Sequence, residues 1–328
     1  MRSRRQQFGS ALLGLLLGSA GLYFAFRGFD LDELLTVLGQ VQWAWILGAV
    51  GLTVVGFVVR GWRWRSLLLP LTQATLRSTT VATVIGYFGN NVLPARLGEI
   101  MRAYVLARRQ KDIDIAVCVG SIAVERILDL VAVVVLAALS IPALGSATVS
   151  LASWLPAALA VLVASAGLWA ASHSKALRRR LQTWSPPAVG LLGRFGGLMG
   201  SFLKGLLVLG ENPRTVALLL QTTIQWLGYV AAVWMVARGV GLPLSLVEVG
   251  AVMVATSLAI SIPAAPGYVG TFHAANVLLL SEVLAYDPAQ AQTFAILSHA
   301  VGWVPSVILG AAALVREPVR LRDLDAAV

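Results

Sequence analysis

The chain has 328 residues and a formal net charge of +10, yet only 12% of its residues are charged and 58% are hydrophobic. A soluble domain is about 25% charged, so this composition excludes a protein whose surface is mostly wet. The cations lie in short segments beside apolar runs, which makes them topology signals and headgroup anchors rather than a nucleic-acid patch.

Long stretches carry no Asp, Glu, Lys or Arg, among them Leu34 to Val59, Leu151 to Ser172, Thr215 to Ala237 and Pro288 to Val315. Each reaches the roughly 20 residues that cross a bilayer core. The N-terminus sets Arg2, Arg4 and Arg5 ahead of an apolar run, Phe8 to Phe26. That run exceeds a signal-peptide core and predicts an uncleaved first span over about 8–26. By the positive-inside rule its tail is cytoplasmic, and Asp30, Asp32 and Glu33 lie outside. A second span, about 42–59, returns to Arg60, Arg63, Arg65 and Arg77, which read as an inside cluster. Trp43, Trp45, Trp62 and Trp64 bracket it as interface anchors.

Ser78 to Ala95 is uncharged and polar for a span, and basic residues follow it at Arg96, Arg102, Arg108, Arg109 and Lys111. A single crossing would leave one basic cluster outside. A re-entrant hairpin over 78–109, broken near Asn90–Gly98, resolves the conflict, and its break should line a cavity. A third span follows over about 113–140 and a fourth over about 152–171. A basic cytoplasmic segment from His173 to Arg214 then contains the loop marked by Pro186 and Pro187 and an interfacial helix, Leu191 to Leu209. A fifth span covers about 215–237. Between Arg238 and Arg316 no Lys or Arg occurs, which fits a second hairpin, 246–285, entered from outside, and a sixth span, about 289–315, that brings the C-terminus back inside.

The two hairpins share a pattern. Pro94-Ala95-Arg96-Leu97-Gly98 is echoed by Pro263-Ala264-Ala265-Pro266-Gly267, with Gly270 just beyond. Leu69-Pro70-Leu71 is echoed upstream by Leu242-Pro243-Leu244, and Ser121-Ile122-Ala123-Val124 downstream by Ser298-His299-Ala300-Val301. Broken helices in repeats of opposite sense are a transporter pattern; ordinary Pro-kinked helices are the plainer alternative. The expected fold is an all-α polytopic membrane protein with about six transmembrane helices and two oppositely oriented re-entrant helical hairpins in an inverted repeat. Residues 1–328 form one integral membrane domain. It comprises an N-terminal span with an outer interfacial helix (1–41), a first repeat (42–140), a connecting span and interfacial segment (141–210), a second repeat (211–316) and a cytoplasmic tail (317–328).

Charges inside a membrane are costly and usually functional. Glu125 and Asp129 are four residues apart, on one helix face with Ser121. Like charges there repel and need cations nearby. Arg126, Arg96 and Arg102 are the candidates, while Glu99 and Arg102 are spaced to pair locally. Two readings stand together: a phosphate site built from Arg96, Arg102 and Arg126 with Asn90 and Asn91, and an internal salt-bridge network that pins the hairpin to the third span. Arginine suits phosphate because its planar fork binds two oxygens at once. Gln221 and Gln225 read as interhelical hydrogen-bonding groups. His299 reads as structural, and His273, near the second break, as a candidate for charge or proton coupling.

The run Asn90-Asn91-Val92-Leu93-Pro94-Ala95-Arg96-Leu97-Gly98-Glu99-Ile100-Met101-Arg102 resembles the signature of the lysylphosphatidylglycerol synthase transmembrane-region family, the flippase-like membrane domain. Val124-Glu125-Arg126-Ile127-Leu128-Asp129 resembles its second signature and Pro263 to Asn276 its third, so the likeness covers about Trp43 to Leu314. The resemblance implies movement of a modified phospholipid between leaflets. It also implies a stand-alone member without the synthase half, because the chain ends soon after its sixth span. The third signature commonly carries a glutamate where this chain has His273, which puts the role of that position and the substrate in question.

The leading expectation is a lipid translocase of the plasma (inner) membrane that moves a polar or phosphate-bearing headgroup through a cavity between the hairpins. No GxxxxGK[ST] loop is present, so transport is passive or ion-coupled, with Glu125 or Asp129 as a possible proton carrier. Its partner is a membrane phospholipid or lipid-linked substrate, and no cofactor, metal or nucleic acid is expected. The alternatives are a membrane enzyme on a lipid-linked substrate, with the acids Asp30, Asp32 and Glu33 in its first outer loop, and a non-transporting partner of a separate lipid-modifying enzyme.

Overall fold

The structure, a computed structural model, describes residues 4–28, 30–69, 71–93, 97–110, 112–141, 212–262 and 265–317. Helices and turns account for all of them, with no strand among the described residues. The expected fourth span, the Pro186-Pro187 loop, the Leu191–Leu209 helix, and Pro94, Arg96 and Pro263 lie outside the described residues.

Helix α1 covers Arg4–Ala25 and is followed by the short α2, Leu31–Gly39. Asp30 caps α2, accepting through Oδ1 from the backbone N–H of Asp32 at 2.9 Å and of Glu33 at 3.2 Å. One acid of the expected outer cluster is thereby occupied in starting a helix. Helix α3, Trp43–Leu68, has 26 residues, about 39 Å at 1.5 Å per residue. It does not end at residue 59 as expected. Gly61, Trp62 and Trp64 continue the apolar run, and Arg60 and Arg63 find partners inside the bundle, so no polar group forces the chain out. These two arginines are therefore not loop signals.

Helices α4 (Leu76–Val92) and α5 (Gly98–Arg109) are antiparallel. The Gly98 N–H donates to Asn90 Oδ1 at 3.0 Å, Gly86 faces Arg102, and Arg109 Nη1 donates to Ser78 Oγ at 3.5 Å. Thr75 caps α4 by accepting from the Ser78 N–H at 3.1 Å. The helices touch at glycine: a Cβ on Gly98 would strike the Gly86 carbonyl oxygen and sit 2.5 Å from the Asn90 nitrogen. Helix α6, Ile115–Ser140, follows.

After the undescribed stretch, α7 covers Asn212–Val240 and α8 Leu246–Ser261, the latter started by a Ser245–Glu248 capping box. A 3₁₀ turn, Pro266–Tyr268, leads into α9, Thr271–Val277, which runs on as a π-helical turn, Leu278–Val283. Here too the pair is antiparallel: Thr256 Oγ1 donates to Asn276 Oδ1 at 3.2 Å and the Tyr286 hydroxyl to Glu248 Oε1 at 3.0 Å. The turn uses left-handed backbone at Gly267 (φ 69°), and Gly270 has φ 93°, conformations that suit glycine. Helix α10, Pro288–Arg316, closes the described chain, with Asp287 capping its first turn.

Among the described residues three helices are long and apolar enough to cross a membrane: α3, the Thr215–Val240 part of α7, and α10. Helix α6 is as long as α3 but carries Glu125, Arg126 and Asp129. Helices α3 and α7 pack lengthwise and antiparallel. The Gln42 N–H donates to the Gly239 carbonyl at 2.9 Å at one end, and Gln221 Nε2 donates to Ser66 Oγ at 2.9 Å at the other. The first helix pair packs through α4 on α10, and the second packs through α8 on α6. The two turns meet: the α4 end lies against the 3₁₀ turn, and a Cβ on Gly267 would sit 3.2 Å from the Asn91 carbonyl oxygen.

Candidate functional site

Burying apolar side chains gives helices in lipid little reason to associate, so close packing and interhelical polar contacts carry specificity. The polar contacts concentrate where α3, α4, α5, α6 and α7 converge. Glu125 and Asp129 sit one turn apart on α6, and both face arginines. Arg63 is fully buried, as is Glu125. It bridges the two acids: Nη1 lies 2.8 Å from Asp129 Oδ1, and Nη2 donates to Glu125 Oε1 at 3.4 Å. Arg60 Nη2 donates to Asp129 Oδ2 at 2.9 Å. Arg102, from α5, places Nη2 2.6 Å from Glu125 Oε2 and its guanidinium 3.8 Å from the centre of the Trp64 ring.

Neutral donors complete the network. Trp226 Nε1 donates to Asp129 Oδ1 at 3.3 Å. Arg60 Nη1 donates to the Tyr87 hydroxyl at 3.0 Å, and the Tyr87 and Tyr229 hydroxyls are 3.1 Å apart. Trp64 Nε1 donates to Ser121 Oγ at 2.8 Å. Trp64 is thus wholly buried and not the interface anchor its sequence position suggested.

At the rim, Arg126 is 47% exposed. Its Nε lies 3.0 Å from Glu99 Oε1 and its Nη1 3.6 Å from Asp129 Oδ2. The expected local pair between Glu99 and Arg102 is replaced: Arg102 turns inward to Glu125, and Glu99 pairs across to Arg126. In this network four guanidiniums (Arg60, Arg63, Arg102, Arg126) meet three carboxylates (Glu99, Glu125, Asp129), which leaves one positive charge. A cleft opens beside it, lined by Arg60, Thr83, Tyr87, Glu99, Arg102 and Arg126 among others, with a cavity volume of about 20 Å³. That is room for a water molecule and too little for a phosphate group.

Among the residues singled out from sequence, Glu99, Arg102, Glu125, Arg126 and Asp129 come together. Asn90 closes the α4–α5 turn and lines the cleft. Asn91 turns away and donates from Nδ2 to Ser306 Oγ on α10 at 2.6 Å. His273 lies in a separate aromatic group, its ring centre 4.8 Å from His299 and 5.9 Å from Phe26. His299 Nε2–H donates to the Gly267 carbonyl oxygen at 2.8 Å, so the two histidines belong to the second turn together. Gln221 makes the interhelical bond expected of it. Gln225 is buried without a hydrogen-bond partner among the described residues.

Arg60, Arg63 and Trp64 were missed as site residues. Two signals pointed to them: their three- and four-residue spacing sets all three on one helix face, and two buried acids on α6 required cations from somewhere.

The fold and site define a multi-pass, all-helical membrane protein with a buried arginine–carboxylate network beside a helix-pair turn. The chain belongs to the family described as the lysylphosphatidylglycerol synthase TM region, whose family model matches residues 11–310. It is also 27% identical to a protein of Haloferax volcanii named Glycosyltransferase AglD, an alignment that covers 98% of this chain and 56% of that relative. The chain thus spans little more than half the length of that relative. The family marks a lipid-related membrane protein.

Proposed function

We propose that the protein moves a phosphate-bearing lipid headgroup between leaflets along the cleft beside the arginine network, while the acyl tails stay in the bilayer. The observation that carries this reading is the uncompensated positive charge, set where Arg126 reaches the rim and Arg102 the interior of the same cleft. A phosphate entering from the rim displaces Glu99 from Arg126 and keeps a cation partner as it advances, so no bare charge crosses hydrocarbon. The cleft in its present form excludes a headgroup, so passage requires the α4–α5 pair to move against α6.

The arrangement of the halves supports alternating access. Helices α3 and α7 each begin a helix–hairpin–helix unit, and they run antiparallel. Each hairpin also rests on the last helix of the other unit. That exchange is the pattern of an inverted repeat, in which two re-entrant hairpins, 78–109 and 246–285, approach the midplane from opposite faces. In this reading the chain makes about six crossings of the inner membrane, and both termini are cytoplasmic.

Reconstitution into liposomes with a fluorescent phosphatidylglycerol tests the proposal through loss of outer-leaflet fluorescence after dithionite. Wild-type protein is expected to expose the inner-leaflet pool, and Arg126→Ala and Glu125→Gln to slow that exposure at least tenfold. Equal rates for all three, or for protein-free liposomes, overturn it.

A second reading rests on the name of the Haloferax relative: a membrane unit serving a glycosyl transfer to or from a lipid-linked substrate. Product formed from a lipid-linked sugar by the isolated protein, and abolished by Asp32→Ala, favours that reading.

A further inference from the structure

Two buried side chains in the cleft keep a donor without an acceptor, the Thr83 hydroxyl and the Arg102 Nε. Thr83, on α4, is 1% exposed, and its Oγ1 has no hydrogen-bond partner among the described residues. Arg102, on the facing helix, is 3% exposed. Its Nη2 lies 2.6 Å from Glu125 Oε2 in the ion pair, and its Nε has no hydrogen-bond partner among the described residues. Both residues line the same cleft, on either side of Gly86. A Cβ on Gly86 would lie 2.9 Å from Arg102 Cβ and 3.0 Å from the Gly98 carbonyl oxygen, so the absence of a side chain there keeps the cleft open.

Leaving a buried hydroxyl or guanidinium N–H without an acceptor is unfavourable, because the desolvated donor gains nothing in exchange. Many helical threonines avoid that cost by donating to the carbonyl one turn back, as Thr53, Thr79, Thr222 and Thr293 do here. Thr83 does not.

We infer that Thr83 and Arg102 form an inner oxyanion subsite that takes one non-bridging oxygen of a singly charged phosphate group. The ligand class follows from size and charge. The cavity holds one water-sized atom group, which fits a phosphate oxygen and not the whole phosphate. The network's single excess positive charge balances a monoanion, as a phosphodiester carries, and not the dianion of a phosphomonoester. The inference rests on the translocase reading and adds to it a specificity-determining residue, Thr83, that lies outside the ion-pair network.

The test uses purified full-length protein in detergent. Binding of phosphatidylglycerol, phosphatidate, diacylglycerol and inorganic phosphate is measured for wild type, Thr83→Val and Thr83→Ser, by native mass spectrometry for the lipids and calorimetry for the ion. Valine keeps the shape without the hydroxyl, and serine restores it. Thr83→Val is expected to weaken phosphatidylglycerol about tenfold, the worth of one hydrogen bond to a charged group. Thr83→Ser should stay within twofold of wild type, and diacylglycerol should be indifferent to both. Hydroxyl dependence for the lipid alone assigns the subsite to a headgroup, and dependence for inorganic phosphate as well assigns it to the phosphate itself. Either result upholds the subsite. Equal binding by the valine and serine variants overturns it, as does a wild-type preference for phosphatidate. A wild type that binds in this hydroxyl-dependent way but exposes no lipid in liposomes sinks the translocase reading and leaves the subsite standing.

Discussion

Arg63 gives the sharpest test of the network. Its side chain is fully buried, donates to Thr222 Oγ at 3.3 Å, and bridges Glu125 and Asp129. Arg63→Met keeps the bulk and removes the charge. Glu125 is then left with Arg102, and Asp129 with Arg60 and the distant edge of Arg126. Breaking a buried ion pair by deleting one partner costs about 3–5 kcal/mol, because the remaining charge stays desolvated. That is roughly a thousandfold in the folding equilibrium. Arg126→Met removes the same charge from a half-exposed site and should cost no more than about 1 kcal/mol. Adding Glu125→Gln to Arg63→Met takes from the buried Arg102 its carboxylate partner, so the double variant should be no more stable than Arg63→Met. Reversible unfolding by SDS in mixed micelles, followed by the fluorescence of Trp64 and Trp226 within the network, measures all four proteins. Arg63→Met and Arg126→Met within about 0.5 kcal/mol of each other would refute the buried bridge, since that difference is the whole of what burial contributes.

Two further outcomes follow from contacts outside the network. Gly98→Ala should cost about 1–3 kcal/mol and splay α4 from α5, because its methyl meets the Gly86 carbonyl and the Asn90 amide. A cysteine pair at Ser78 and Arg109, which face each other across the hairpin, should then cross-link more slowly than in a Gly98 background. At the far end of the same hairpin, Arg109 donates to Glu317 and so holds that carboxyl below its ordinary value of 4.5. The folded carboxyl is the stronger acid, so the pair contributes fully above pH 4.5 and its contribution fades as pH falls through the lowered folded value. Its worth is under about 1 kcal/mol. Unfolding measured between pH 6 and 3 should show this loss in wild type and not in Arg109→Gln.

Much of the helix order was legible because membrane helices announce themselves by length and apolarity. Helices α1, α6, α7 and α10 fall within a few residues of their expected limits, and the helix pair over 78–109 was visible in its polar content and its Pro-Gly break. The boundary of α3 failed for a definite reason. A charged residue in an apolar run reads as the water's edge, but an arginine continues a buried helix when acids on a neighbouring helix supply its counter-charge. The same error made Trp64 an interface anchor, when its indole N–H is satisfied by Ser121 inside the bundle.

By itself, the order of residues determined that this is an all-helical membrane protein, that Glu125 and Asp129 share a face and demand cations, and that the helix breaks between Asn90 and Gly98. These are local properties, carried by composition and by the 3.6-residue period. Which arginines answer those acids, which way Arg102 and Glu99 pair, and that His273 meets His299 were decided only by tertiary structure. Each of those contacts joins residues from separate helices, and their distances depend on how α3, α5, α6 and α7 pack together rather than on any spacing along the chain.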